Sequence, residues 1–432
     1  MKLQTHSLKY AVYTATIYIN YVFSPIMALL GKKHEIDSGD NSWALTVGMA
    51  FVVSMFFALK SILSKRTLRY GVNMILFPLV FFLFAFFIEY GLFSNDSIAG
   101  FTSYPITKWY MLSALYTWPA VFIAIDVATE NSLNQIYKWL DVVAVLISLG
   151  MIPSLRTLGV DLALNMGGDN YQAIAYMGAF AEGILLYGIV SPYQDMRFPF
   201  FQLKIYKMIS VVLIIINVAA VFISGGRGGA LLLILNTAIC LFAFNMNGKS
   251  VLKKVIISAV ALILFSFLFG KFIGAYGLGD FINGGLERTF SYISGGNLDM
   301  SETSNRDDVY KIAIENINNH PVLGQGVFRT MSMYGGYPHN FILEILVDGG
   351  MVYLLFWIVY LWLFFKKLFK IIRREPAKSY LLILASLPLL SLLFSGTYTN
   401  NAYFWFVISC VFIYQRTGKE LNYNGRGIII HN

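Results

Sequence analysis

The sequence predicts an all-helical, polytopic membrane protein with about twelve transmembrane helices and one long polar loop. Hydrophobic residues make up 57% of the 432 residues, and charged residues make up only 13%. A soluble domain carries about 25% charged residues, so most of this chain is expected to lie in a bilayer. The longest polar stretch lies between about Ala275 and Gly350, and a histidine within it opens a further apolar run. We therefore expect one membrane domain over residues 1–432, with a loop over residues 275–338 inserted between spans nine and ten.

Each predicted span is an apolar run close to the length of about 20 residues that crosses the hydrocarbon core of a bilayer. The twelve runs lie near residues 10–30, 43–62, 72–93, 109–126, 139–153, 171–191, 208–224, 230–247, 255–274, 340–365, 381–395 and 402–414. Three of these runs are short, those that begin near residues 139, 381 and 402. Bundles of ten or eleven spans are therefore the alternatives.

The basic residues indicate which way the spans run. Most of the 32 Lys and Arg residues, Arg197 among them, fall on the side of the predicted bundle that also carries both chain ends. Lys and Arg are retained on the cytoplasmic side of membranes. Both termini are therefore predicted to be cytoplasmic, and the loop over residues 275–338 is predicted to lie on the opposite side. This orientation accounts for the net charge of +9 without a nucleic-acid partner.

A first motif, SGGRGG at residues 224–229, joins two apolar runs through a very short outer turn. The turn holds Arg227 at the membrane surface, and the small residues around it allow other backbone to come close. A guanidinium group binds phosphate oxygens through two parallel hydrogen bonds. Arg227 is therefore a candidate ligand for a phosphate or pyrophosphate group. An interfacial arginine paired with a lipid phosphate is the alternative.

A second motif lies in the long loop, where residues 304–320 predict a short amphipathic helix. An S-x-x-D capping box opens this helix, and Pro321 ends it. Arg306 falls in the first turn, beside the unpaired N–H groups at the positive end of the helix dipole, which makes it a candidate pyrophosphate ligand. The two aspartates that follow it offer a salt-bridged structural role as the alternative. Arg288 and Arg329 are further candidates in the same loop.

A third motif, PHN at residues 338–340, comes immediately before an apolar run. His339 is predicted to stand at the N-terminus of a helix that enters the membrane. The helix dipole disfavours imidazolium there, which leaves a neutral imidazole able to accept a proton at about pH 7. Glu344 and Asp348 lie four residues apart on one face of the same helix and could orient the site. A purely structural histidine is the alternative.

Together, SGGRGG, NRDDVYKIAIENINNHPVLGQGVF and HNFILEILVDGGMVYLLFW resemble the shared region of the bacterial O-antigen ligase and O-antigen polymerase superfamily. The resemblance covers residues 224–357, in the expected order and spacing. It rests on the arginine turn, on the HP-x-x-G-x-G segment at His320–Gly326 and on the HN-x-x-x-E-x-x-x-x-G pattern at His339–Gly349. The first half of the chain resembles the superfamily only in its pattern of spans.

The resemblance implies a GT-C-like, all-helical membrane glycosyltransferase in the bacterial inner membrane, with its large loop in the periplasm. It also implies a glycan donor carried on undecaprenyl pyrophosphate and a lipid-linked acceptor. The site residues that it implies are His339 as the general base, Arg227, Arg306 and Arg288 as pyrophosphate ligands, and Asn340 and Glu344 as supporting residues. A single inverting displacement needs charge stabilisation on the leaving group and a base on the nucleophile. We therefore expect neither a cofactor nor a metal.

Two activities within the superfamily use this donor chemistry. A polymerase transfers the growing glycan to the next lipid-linked repeat unit, whereas a ligase transfers the finished glycan to lipid A core. A composition rich in Ile, Asn, Tyr, Phe and Lys, and the weakly patterned first half, favour the polymerase, with the ligase as the alternative. The remaining alternative is a transporter of lipid-linked sugars, which would not require a long outer loop. The expected partners are the lipid-linked donor and acceptor, membrane lipid and a chain-length regulator.

Overall fold

The computed structural model of the chain describes residues 5–32, 42–64, 106–156, 166–167, 171–244, 306–328 and 337–414. Within these residues the regular structure is helical, without β-strands. The α-helices are α1 (Thr5–Ile17), α2 (Ile19–Leu29), α3 (Ser42–Ser64), α4 (Ile106–Thr129), α5 (Leu133–Arg156), α6 (Tyr171–Val190), α7 (Lys204–Ser224), α8 (Arg227–Phe244), α9 (Arg306–Asn319), α10 (Phe341–Arg374), α11 (Tyr380–Phe394) and α12 (Ala402–Ile413). Short 3-10 helices occupy Gln194–Met196, Pro199–Gln202, Pro376–Ser379 and Tyr398–Asn400.

The predicted spans coincide with helices wherever the chain is described. Two of them, near residues 72–93 and 255–274, lie outside the described residues. By length and composition, 5 helices in the described part can cross a membrane, or 6 if α1 and α2 together form one bent span. The all-helical, membrane-spanning class is therefore confirmed, and the number twelve stays a prediction. Most of the loop over residues 275–338 also lies outside the described part.

The first predicted span, near residues 10–30, is a bent pair of helices. α1 and α2 meet at Tyr18 and are bent by 89° relative to each other. Tyr18 is fully buried, and its ring stacks between Phe180 of α6 and Tyr403 of α12, with ring centroids 5.1 and 5.9 Å away. This aromatic packing holds the bend. Hydropathy records only that the residues are apolar, so it could not predict a change of direction.

Helices α6 and α8 run parallel to each other in close contact. Near their N-terminal ends, a Cβ at Gly229 would overlap Ala175, which shows how closely the two backbones approach. Further along, the Asn236 side chain of α8 donates a hydrogen bond of 2.9 Å to the carbonyl of Ala179 in α6. The N-terminal ends of α6 and α8 therefore lie at the same end of the bundle.

Helix α11 runs antiparallel to this pair. The Ser386 hydroxyl at its centre donates a hydrogen bond of 2.6 Å to the Asn236 side chain. At its N-terminal side, the Ser379 hydroxyl lies 2.9 Å from the hydroxyl of Tyr187, near the C-terminus of α6. The C-terminus of α11 therefore lies at the end of the bundle where α6 and α8 begin. We call this end the arginine end, because α8 begins there with Arg227.

A buried ion pair joins α5 to the segment between α6 and α7. The Arg197 guanidinium donates hydrogen bonds of 2.8 and 2.7 Å to the two carboxylate oxygens of Asp141 and one of 2.9 Å to the carbonyl of Gly188. Only 2% of Arg197 is exposed. Arg197 is one of the basic residues counted above for the cytoplasmic side, and its burial in an ion pair was not expected from the sequence. Its partner is 56 residues away in the chain, so no local pattern could indicate the pair.

We expect Arg197→Met to lower the free energy of unfolding by about 3–5 kcal/mol, because it leaves the Asp141 carboxylate buried without its cation. Thermal unfolding in detergent measures this change. The matched control is Lys204→Met, because Lys204 is exposed at the start of α7. The double variant Asp141→Asn with Arg197→Met should recover part of the lost stability. Equal stability of Arg197→Met and the Lys204 control would contradict a stabilising role for the pair.

Candidate functional site

The N-terminus of α10 is built around His339 and Asn340. Asn340 is the N-cap, and its side-chain oxygen accepts hydrogen bonds from the amides of Ile342 (3.0 Å) and Leu343 (3.2 Å). His339 adopts the left-handed backbone conformation, with φ of 52°. Few residues other than glycine adopt this conformation, and those that do are often held in place for a function. The predicted helix start at His339 is therefore confirmed, and the histidine lies in a conformation that requires support.

The imidazole of His339 contacts the residues that end α11. Its Nδ1 atom lies 3.3 Å from the carbonyl oxygen of Ser395. The Tyr337 hydroxyl donates a hydrogen bond of 3.1 Å to the same oxygen, and the Tyr337 and His339 ring centroids are 4.2 Å apart. The Asn340 side chain donates a hydrogen bond of 3.4 Å to the carbonyl of Leu393. The C-terminal carbonyls of α11 therefore form one wall of the site.

Two buried carboxylates of α10 hold the turn that follows α11. Glu344 accepts a hydrogen bond from the Thr397 hydroxyl, and Asp348 accepts one of 2.7 Å from the Tyr398 hydroxyl. Only 4% of Glu344 and 5% of Asp348 is exposed. The sequence placed both carboxylates on one helix face, and the structure agrees with it. In this geometry both carboxylates fasten the turn to α10.

Helix α10 is broken at Gly349 and Gly350, whose backbone angles are not helical. In a continuous helix, the main-chain carbonyls before this break would accept hydrogen bonds from the main-chain amides after it. Here these carbonyls and amides are paired instead with the segment over residues 321–326, which we call the loop clasp. The four hydrogen bonds run from the Gln325 amide to the Val347 carbonyl (2.7 Å), from the Gly326 amide to the Asp348 carbonyl (2.9 Å), from the Met351 amide to the Pro321 carbonyl (2.9 Å) and from the Val352 amide to the Val322 carbonyl (3.2 Å). The loop clasp therefore replaces the missing helical hydrogen bonds on both sides of the break.

Two glycines make this approach of backbones feasible. Gly324 has φ of 67°, and a Cβ at this position would lie within 2.6 Å of main-chain atoms of Val347 and Asp348. Gly350 has φ of 61°, and a Cβ there would overlap the main chain of Val322. Glycine alone combines an unstrained left-handed backbone with the absence of a side chain. The sequence stretches around Gly324 and Gly350 therefore require glycine because their main chains meet at the break.

Arg227 is the first residue of α8, directly after the turn that ends α7. Gly225 caps α7 with φ of 69°, and a Cβ at Gly226 would overlap Ala175 of α6. The expected close approach of backbone around the arginine is therefore present, and the neighbour is α6. The Arg227 side chain is partly exposed at the arginine end of the bundle. It stands in the first turn of its helix, where the unpaired N–H groups favour an anion.

Arg306 is the first residue of α9, so its predicted place in the first turn of a short helix is confirmed. Its side chain, together with Arg288 and Arg329, lies outside the described part of the chain. α9 ends at Asn319, as the sequence predicted within two residues. A hydrogen bond of 3.1 Å from the Gln325 side chain to Asn316 links α9 to the loop clasp. The loop helix is thereby connected to the break in α10.

The described contacts bring the site residues together in part. His339, Asn340 and Glu344 lie in adjacent turns of one helix end. Because His339 contacts Ser395, which follows α11, these residues lie at the arginine end of the bundle with Arg227.

Sequence reasoning missed Tyr337 and the turn Ser395–Tyr398. A signal for the turn is present, since the polar run SGTYTNN interrupts two apolar runs at residues 395–401.

Comparison with known proteins adds a family to this geometry. The O-antigen ligase family model matches residues 210–358. These residues are similar to the O-antigen ligase family. The resemblance to the O-antigen polymerase and ligase superfamily is thereby confirmed for this region, which is about a third of the chain. Neither the curated proteins nor the solved structures contain a match.

The matched region, which we call the O-antigen ligase domain after the family model, begins within α7 and ends within α10, beyond the break. It contains the arginine turn, α9, the loop clasp and His339. Ser395 and the turn that follows it lie outside the domain, as do α11 and α12. The domain therefore receives part of the support for its histidine from helices that the family match does not cover.

We expect Gly324→Ala to reduce thermal stability more than Gly31→Ala does, by about 1–3 kcal/mol, because its methyl group must push the loop clasp away from α10. Gly31 is the matched control, because it also has a positive φ (66°) but faces open space. Both variants therefore bear the same kind of backbone strain, and only one disturbs the break. Thermal unfolding and proteolysis of the loop clasp measure the difference. Equal behaviour of the two variants would argue against the loop clasp as a support of α10.

Proposed function

We propose that this protein is a surface polysaccharide (O-antigen) polymerase. In this proposal it transfers a glycan from undecaprenyl pyrophosphate to a lipid-linked repeat unit. The observation that carries the proposal is His339, held at the N-terminus of α10 within an O-antigen ligase domain, at the same end of the bundle as Arg227. An acid–base residue and a phosphate-binding residue at one end of a membrane bundle suit a reaction between two lipid-linked substrates.

The proposed roles follow from the charges that develop in the reaction. Displacement of a pyrophosphate from the anomeric carbon leaves negative charge on the leaving group, which fixed cations stabilise. Arg227, Arg306 and Arg288 are the proposed cations, and the N-terminus of α8 adds the N–H groups of its first turn. His339 would accept the proton of the attacking hydroxyl. Asn340 and Glu344 would support it, by capping the helix and by fastening the turn after α11.

The donor is already activated by its pyrophosphate, so the proposed reaction needs no nucleotide. Attack on the face opposite the leaving group inverts the anomeric carbon in one step, without a covalent intermediate. This proposal assigns the chemistry to side chains of the chain and requires no metal or other cofactor. The lipid carriers of both substrates would remain in the bilayer while their glycans meet at the arginine end.

The second candidate is an O-antigen ligase, which would transfer the finished glycan to lipid A core. The description of the matched family favours it. The two candidates share the donor and differ in the acceptor, and composition is what favours the polymerase. Transport of lipid-linked sugars is a less favoured alternative, because it gives no role to a histidine held in this way.

In this proposal the protein is a multi-pass protein of the bacterial inner membrane, with both termini in the cytoplasm. The distribution of Lys and Arg supports this orientation. The arginine end and the loop over residues 275–338 would then face the periplasm, where lipid-linked glycans are assembled. A separate membrane protein that limits chain length is a proposed partner.

We expect the purified protein, reconstituted with lipid-linked repeat units alone, to produce a ladder of longer lipid-linked glycans on a gel. His339→Ala should reduce the rate by about 100-fold or more, as expected for the loss of a general base. Transfer only after lipid A core is added would make the protein a ligase. Absence of transfer with either acceptor would overturn the proposed reaction.

We also expect Arg227→Ala to lower kcat/KM by about 100-fold, because a fixed charge on the leaving group is lost. Arg227→Lys should retain part of the activity, since lysine keeps the charge but cannot form two parallel hydrogen bonds. Steady-state kinetics with varied donor concentration measures both effects. Arg374→Ala is the matched control, because Arg374 is exposed at the C-terminus of α10, away from the arginine end. Equal loss in both variants would remove Arg227 from the proposed site.

A further inference from the structure

The contact between His339 and Ser395 determines which ring nitrogen carries a hydrogen. A main-chain carbonyl oxygen can only accept hydrogen bonds, so the Nδ1 atom 3.3 Å from it must be the donor. A neutral imidazole has one N–H group, and its other nitrogen is a proton acceptor. The geometry therefore selects the tautomer with hydrogen on Nδ1, in which Nε2 is the basic atom.

Tyr337 supports the same arrangement from a second direction. Its hydroxyl donates a hydrogen bond of 3.1 Å to the Ser395 carbonyl, which has a lone pair for each of its two donors. Its ring lies against the imidazole, with an angle of 47° between the ring planes. The two side chains, two positions apart in the chain, reach one oxygen, and the backbone at His339 is left-handed. Tyr337 and His339 are therefore held as a pair.

The Ser395 carbonyl is itself held in place. The amides of Ser395 and Gly396 both donate to the carbonyl of Ser391, at 2.8 and 2.9 Å. On the other side, Glu344 and Asp348 fasten the hydroxyls of the turn after α11 to α10. The Trp405 indole adds a hydrogen bond of 2.8 Å to the carbonyl of Tyr398 in that turn. Because the Ser395 carbonyl is fixed on both sides, it can orient the His339 imidazole without moving with it.

We propose that Tyr337 is a positioning residue for His339. Together with the Ser395 carbonyl, it keeps the imidazole in the tautomer with hydrogen on Nδ1 and directs Nε2 at the acceptor hydroxyl of the substrate. This assignment rests on the proposed function, in which His339 is the base. Tyr337 acts through His339 and does not itself exchange a proton.

The kinetic test compares two substitutions of Tyr337 in the full-length protein with lipid-linked repeat units. Tyr337→Leu removes both the ring contact and the hydroxyl, and should lower kcat by about 10-fold to 100-fold with little change in KM, because the base is no longer aligned. Tyr337→Phe keeps the ring and should restore most of kcat. Tyr193→Leu is the matched control, because Tyr193 is also half-buried but follows α6 at the opposite end of the bundle.

The second test reads the tautomer directly and does not depend on turnover. Nitrogen-15 NMR of histidine-labelled protein in lipid nanodiscs distinguishes the two tautomers, and the His339 signal is the one that His339→Gln removes. The native protein should show hydrogen on Nδ1 when the imidazole is neutral, and Tyr337→Leu should show a mixture. Hydrogen on Nε2 in the native protein would overturn the assignment.

The outcomes separate this inference from the proposed function. Full activity in His339→Ala would overturn the role of the histidine as base, whatever the NMR spectrum shows. A large loss in His339→Ala together with native kcat and a native tautomer in Tyr337→Leu would overturn the role of Tyr337 alone. Tyr337→Leu could also lose thermal stability where Tyr337→Phe does not. Such a loss supports positioning if the tautomer of His339 also changes, and it counts against positioning if the tautomer is unchanged.

Discussion

The break in α10 is the constraint on which the rest of the site depends. In a bilayer an unpaired main-chain group costs several kcal/mol, so irregular backbone is tolerated only where protein pairs it. The loop clasp supplies acceptors and donors to the main chain on both sides of Gly349 and Gly350, and thereby fixes the end of the loop against the helix. Two stretches that are separate in the sequence form one structural unit as a result. The short helical segment that follows His339 is stable because this unit holds its far end.

The near end of that segment is held by polar contacts with the residues after α11. Asn340 caps the helix, while Glu344 and Asp348 bind hydroxyls of the following turn. Buried carboxylates without such partners would be costly in a membrane protein. The same contacts fix the Ser395 carbonyl against His339. The histidine is therefore positioned by helices from both sides, and this explains how it keeps a left-handed backbone conformation.

The sequence predicted the helices because apolar runs of membrane length leave few alternatives, and it predicted His339 at a helix N-terminus from a histidine directly before such a run. Features that depend on distant partners escaped it. The bend at Tyr18 comes from stacking on other helices, and Arg197 is paired with a residue on another helix. The partner of His339 is the main-chain oxygen of Ser395. Every residue type has this oxygen, so the sequence does not indicate the contact. The glycines of the loop clasp could be read from the sequence, but their contact with the main chain of α10 could not.

In the proposed function, Arg227 and His339 serve one substrate at the arginine end of the bundle. The most direct measurement is an experimental structure of the protein in lipid with undecaprenyl pyrophosphate bound. We expect the pyrophosphate between the guanidinium groups of Arg227 and Arg306, with the Nε2 atom of His339 facing the space beside it. A pyrophosphate bound elsewhere, or Arg227 and His339 facing separate cavities, would rule out a shared site.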